Sequence, residues 1–146
     1  MNCKLYLLAL AMGIMTFASS CKKDPGPGGT STIHGKVRTY KYDNTATYLY
    51  TKYYSREEDV YIIYGTDHTS YDDHYKTSYD GSYEFKYLQK GTYKIFAYST
   101  DTTGAAATGS VNALLPKTDI SQTAEITGKN QTVEVPDIEI IKIEGQ

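Results

Sequence analysis

From residue 32 onward, apolar side chains recur at every second position, and helical periodicity is absent. Successive strand residues point to opposite faces, so this pattern specifies half-buried β-strands and argues against a helical bundle. Ile33, Gly35 and Val37 alternate with His34, Lys36 and Arg38. Tyr48, Tyr50 and Lys52 outline an outer strand, and Ser55–Asp59 is a charged turn. Val60–Tyr64 is apolar on both faces, as a central strand is. Tyr75–Tyr79 reads as extended, and Tyr83, Phe85 and Tyr87 form the next apolar row. Tyr93, Ile95 and Ala97 form another inward row. The chain has 16 Tyr and no Trp, which agrees with strands, where Tyr packs its ring and keeps its hydroxyl wet.

Turn chemistry separates these rows. Asp80-Gly81 predicts a tight turn, and Gln89-Lys90-Gly91 a second. Residues 99–110 are small and polar, a loop by composition. Val111–Leu115 reads as a short strand or helical turn ended by Pro116. Ile120–Ile126 and Thr132–Ile143 are the last two strands, with Gly128-Lys129-Asn130 as a hairpin between them. The final strand changes parity: Val133 and Val135 are odd, Ile138 and Ile140 even. A bulge near Pro136-Asp137 keeps both pairs facing inward. About seven short strands with frequent turns predict an all-β fold, an antiparallel β-sandwich, over 32–146.

Asp80-Gly81-Ser82-Tyr83-Glu84-Phe85, Leu88 and Gly91-Thr92-Tyr93-Lys94-Ile95 resemble the hairpin of the carboxypeptidase-regulatory-like, or transthyretin-like, β-sandwich. Ile33-His34-Gly35-Lys36-Val37 resembles that family's first strand. The resemblance covers 32–98 closely and 119–143 loosely. It implies a mostly noncatalytic module. The family's hydroxyisourate hydrolases end in Tyr-Arg-Gly-Ser, whereas this chain reads Ile143-Glu144-Gly145-Gln146. The zinc peptidases that carry such modules need His-x-x-Glu, and none of His34, His68 or His74 has a Glu three places on.

The N-terminus addresses location. Lys4 precedes the uncharged run Leu5–Ala18, then come Ser19, Ser20 and Cys21. As a helix that run reaches only ~21 Å, short of a ~30 Å hydrocarbon core. Residues 1–20 therefore read as a signal peptide. Phe17-Ala18-Ser19-Ser20-Cys21 resembles the lipobox of bacterial lipoproteins, which implies cleavage before Cys21 and lipidation of that residue. Lys22-Lys23-Asp24, with no Asp directly after the cysteine, points to the outer membrane. Residues 21–31 then form the lipidated cysteine and a Gly/Pro tether, since Asp24–Ser31 offers no apolar side chain beyond its prolines.

A formal net charge of −2 without a basic cluster argues against nucleic acid as a partner. No nucleophile is paired with a base, so no enzyme and no cofactor are expected. The one ionisable cluster holds Asp67, His68, Asp72, Asp73 and His74. It reads either as a solvated loop or as hard ligands for Ca²⁺. If Tyr93, Ile95 and Ala97 face inward, Phe96 and Tyr98 face outward, and Tyr61 joins them if Val60 and Ile62 face inward. Such rings stack on sugars or dock a protein, unless residues 39–58 or 99–118 cover them. The expected role is a noncatalytic, lipid-anchored envelope module that binds or scaffolds. Its partners are the membrane and an envelope protein or glycan. The alternative is a carbohydrate-binding surface lipoprotein of a polysaccharide-uptake system.

Overall fold

A computed structural model describes residues 24–102 and 117–145. The expected signal peptide, Cys21 and most of the 99–118 segment lie outside the described residues. Within them the chain is all-β, with nine strands in two facing sheets. These are β1 (Pro27–Tyr42), β2 (Leu49–Tyr54), β3 (Asp59–Tyr64), β4 (Asp73–Lys76), β5 (Ser82–Leu88), β6 (Gly91–Thr100), β7 (Lys117–Ile126), β8 (Thr132–Glu134) and β9 (Ile138–Ile143).

The first sheet is organised by β1. Its N-terminal part pairs antiparallel with β5 and parallel with β8. Its C-terminal part pairs antiparallel with β2 and parallel with β9. The second sheet runs β4-β3-β6-β7, all antiparallel. Alternation along the strands fills the space between the sheets. Ile33, Val37, Tyr83, Phe85, Ile138 and Ile140 come from one side, and Val60, Ile62, Tyr93, Ile95, Ala97 and Ile126 from the other. Each buried aliphatic side chain of this kind contributes about 1.5–3 kcal/mol.

The parity change in the last strand is a one-residue bulge. Ile33 pairs with Val133 and Val37 with Ile138, so β1 advances four residues while its partner advances five. The break falls at Pro136-Asp137, and Val135, Ile138 and Ile140 are all buried. A second break lies in β5. Tyr87 takes a positive φ of 60°, which turns it outward and brings Leu88 into the core in its place. Tyr87 thus departs from the inward row expected of Tyr83 and Phe85.

The tight turn expected at Asp80-Gly81 forms, with the Gly81 N–H donating to the Ser78 carbonyl at 2.9 Å and Gly81 at a φ of 77°, but the two expected hairpins, at Gln89-Lys90-Gly91 and Gly128-Lys129-Asn130, are instead crossings between sheets. β4 lies in the second sheet and β5 in the first, so Asp80-Gly81 ends a crossing. The chain crosses back at Gln89-Lys90, and again between β7 and β8. Local turn chemistry is the same in both cases; which strand lies beside which is decided by the core. The crossings are pinned by buried polar side chains. The Thr77 hydroxyl donates to the Ser55 carbonyl at 2.5 Å and accepts from the Glu58 N–H at 2.9 Å, and Ser55 meets Thr39 hydroxyl to hydroxyl.

The glycine-proline segment is a correction of a different kind. A free tether over 21–31 does not describe Pro25–Ser31, because Pro27–Ser31 belongs to β1 and Ser31 is buried. Backbone pairing and close approach hold it. The Gly26 carbonyl accepts from the Gln89 N–H at 2.9 Å, and the hydroxyls of Thr30 and Ser31 accept from the N–H groups of Asn130 and Gln131 at 3.0 and 3.1 Å. A Cβ at Gly29 would lie 1.8 Å from the Leu88 carbonyl oxygen, so the absent side chain is what lets β1 reach β5.

Gly29→Ala should therefore lower unfolding stability by ~1–3 kcal/mol, as overpacking does, with a clear fall in Tm by circular dichroism. A Tm unchanged by this substitution would mean that the segment is a tether after all.

Candidate functional site

The two outer faces differ in chemistry. On the first sheet, Arg38 bridges to Asp137 at 2.9 Å and hydrogen-bonds the Tyr54 hydroxyl. The Tyr40 hydroxyl donates to Glu139 at 2.9 Å, and Lys36 and Arg38 both lie 4.9 Å from the Tyr54 ring centre. This face is largely satisfied by its own charges.

The outer face of the second sheet is aromatic. Cross-strand register places Tyr61 between Phe96 on β6 and His74 on β4. Tyr61 stacks on Phe96 at 5.2 Å and meets Tyr98 edge-on at 5.4 Å. Phe96 and Tyr98 lie 5.6 Å apart, and Tyr71 packs on Tyr61 at 4.8 Å. Sequence parity thus brings Tyr61, Phe96 and Tyr98 into one cluster. Their exposure differs, however. Tyr98 is 41% exposed and Tyr71 50%, while Phe96 is only 5% exposed. Phe96 is the floor of the cluster, and Tyr98 and Tyr71 are its open rings. The segment 39–58 forms the β1–β2 ribbon of the other sheet and leaves this face uncovered.

Beside the rings runs a groove of about 490 Å³, lined by Ile63, Phe96 and Tyr98 on one side and by Thr66, His68, Lys94, Asp119, Ser121 and Thr123 around them. Tyr61 does not line it but supports Phe96 from behind. Lys94 on β6 and Asp119 on β7 form an ion pair at 2.8 Å, which holds the Asp119 carboxyl below the usual range. The Lys94 ammonium also lies 5.7 Å from the Phe96 ring centre. Burial, and then Asp59, push the Tyr61 hydroxyl up, so it stays protonated and able to donate. Lys94 and Asp119 are not singled out by sequence alone, and His68 is singled out there only as a member of the ionisable cluster. Parity does place Lys94 on the face of Phe96 and Tyr98; Asp119 follows only from the β6–β7 register.

The ionisable loop serves this groove as a wall. Asp72 accepts the Tyr64 N–H at 2.7 Å and lies 2.9 Å from His68 Nε2, fixing the loop next to Gly65. Asp73 accepts the His74 N–H at 2.8 Å, and the His74 ring packs 6.2 Å from Tyr61. Asp67 accepts only from the neighbouring Thr66 hydroxyl, at 3.4 Å. Asp73 and His74 are consecutive on β4, so their side chains diverge to opposite faces. Among the described residues, no three His, Cys, Asp or Glu side chains converge on a position for a metal ion.

No protein-family model matches the chain, and a comparison with curated proteins finds no match. The crystal structure of a proposed carbohydrate binding protein from Pseudomonas aeruginosa is similar to this chain at 9% identity, with a TM-score of 0.45, over 80% of this chain and 91% of that one. A likeness at that level carries no argument about function.

Proposed function

We propose that this chain is a noncatalytic, lipid-anchored binding module of the bacterial envelope, held at the outer membrane through Cys21, with kinship to the carboxypeptidase-regulatory-like sandwiches. Its ligand is a carbohydrate chain, taken by the groove of the second sheet. The observation that supports this reading is the open Tyr98 ring set cross-strand from Asp119, whose carboxylate pairs with Lys94 at 2.8 Å. Tyr98 and the ring cluster behind it suit the C–H face of a sugar ring. Lys94, Asp119, Ser121, Thr123 and His68 offer donors and acceptors to its hydroxyls.

A second reading has its own support. β2 is an outer strand of the first sheet and is exposed along all six residues, with Tyr50 and Tyr53 among them. Such an edge suits strand addition by an envelope protein.

Affinity electrophoresis against a polysaccharide panel tests the first reading. One glycan should retard the protein, and Tyr98→Ala should weaken that binding at least tenfold without changing Tm, as loss of a ~1.4 kcal/mol contact does. No retardation by any glycan would reject it and leave β2 as the recognition surface. A second outcome concerns the ion pair. The Asp119 carboxyl is ionised to lower pH than an ordinary Asp, so its contribution to folding is present above the unfolded pKa of ~3.9 and fades as pH falls through the lower folded value. Both partners are largely exposed, so this contribution is under about 1 kcal/mol. Lys94→Met should raise the Asp119 pKa toward the ordinary range in a carboxyl-carbon NMR titration; an unchanged pKa would remove Lys94 as its cause.

A further inference from the structure

The fold begins close to the expected lipid attachment site. The Gly26 N–H donates to the Tyr93 hydroxyl at 3.1 Å in a buried position, and that hydroxyl donates to the Gln89 carbonyl at 2.7 Å. Pro25 packs on Gly91, where a Cβ would lie 2.5 Å from the proline Cγ. Position 25 is therefore fixed against the turn between β5 and β6. From Cys21 to Pro25 there are four peptide steps, which span at most ~14 Å when fully extended. A chain that short holds the Pro25 end of the domain within ~14 Å of Cys21.

We propose that the sandwich end carrying Pro25 sits on the bilayer surface in one orientation, against phospholipid headgroups. This inference rests on the lipidation of Cys21. Three observations converge on it. The first is the short connection. The second is the shape and charge of this end. A groove of about 1050 Å³ opens between the turns around Gly65, Gln89 and Gly128, and its lining carries Lys90 and Lys129 as well as Asp24, Asp67 and Glu125. Mixed charge of this kind fits zwitterionic headgroups, each bearing a cation and a phosphate. The third is Tyr87. It stands next to Leu88, which pairs with Pro27 and Ser31 at this end of the sandwich. Tyr87 is 70% exposed, and a left-handed backbone, sparsely populated by bulky residues, turns it outward. Exposed tyrosines are favoured at membrane–water interfaces, where ring and hydroxyl meet different surroundings.

The orientation has a consequence for the opposite end. β1 runs from this surface to Tyr42, and its regularly paired part, Ile33 to Tyr42, rises ~30 Å at about 3.3 Å per residue. It carries the Asp43–Tyr48 turn, with exposed Tyr48 and Tyr50 beyond it, away from the membrane.

The test uses the acylated, signal-cleaved product in phosphatidylcholine vesicles that contain a headgroup-spin-labelled lipid. With Cys21 acylated and Cys3 removed with the signal, an engineered cysteine is the only free thiol in the chain. A fluorophore at Lys129→Cys should be quenched at least threefold more strongly than one at Thr47→Cys. Lys90→Cys gives a second reporter at the same end should the first variant misfold. Equal quenching at both ends, with the protein still floating with the vesicles, would overturn the docked orientation and leave the lipid anchor standing. Protein that does not float would overturn lipidation and the orientation together.

Discussion

Along its sixteen residues β1 pairs with four other strands, two on each side, and these ladders hold the first sheet together. Its inward row of Ile33, Val37 and Thr39 is fully buried and meets the inner face of the second sheet. The dependence runs in both directions along the chain. Toward the N-terminus, Gly26–Ser31 closes the sandwich by bonding to the β5–β6 and β7–β8 connections. Toward the C-terminus, β8 and β9 find their places only as parallel neighbours of β1, with a bulge that absorbs the extra residue. The buried hydroxyls of Thr39, Ser55 and Thr77 tie the same strand to two crossings, so the polar groups inside the fold also answer to it.

That arrangement leaves one face aromatic and open among the described residues. With β2 committed to the edge of the first sheet, the aromatic row of Tyr61, Phe96 and Tyr98 has no strand layer over it among the described residues. The second sheet supplies flatness, and the Asp72-fixed loop supplies a wall. The first sheet's outer face has a different fate: Arg38, Tyr54, Asp137 and Glu139 satisfy one another and leave little unmatched chemistry. The contrast between a self-satisfied face and an aromatic face with a groove is what locates the candidate site.

Much of this was legible in the sequence wherever the governing property is local. Strand faces are local, so Ile33–Val37, Val60–Ile62 and Tyr93–Ala97 were readable, as was the parity break at Pro136-Asp137. Strand partners are not local. Asp80-Gly81 and Gln89-Lys90-Gly91 have the composition of hairpin turns, yet each ends a crossing, because the choice of neighbour is made by core packing far along the chain. Hydropathy also misreads Pro25–Ser31: backbone bonds and the close approach at Gly29 leave no apolar signature. In the site, parity grouped the three rings, while Asp119 needed the β6–β7 register. The five ionisable residues of 67–74 are near in sequence, but Asp72 is engaged with Tyr64 and His68, and strand alternation separates Asp73 from His74.

Native-state amide exchange across Gly26–Tyr42 is the most direct test of the claim that β1 organises the fold from its first residues. The pairing described predicts that the Gly26 and Gln89 amides, and those of Thr32 and Gln131, exchange slowly and together with the core amides of β1. Exchange of Gly26 and Gln89 at unfolded-chain rates, with Val37 and Thr39 still protected, would contradict it. The fold would then begin near Thr32, with the residues before it a flexible chain outside the sandwich.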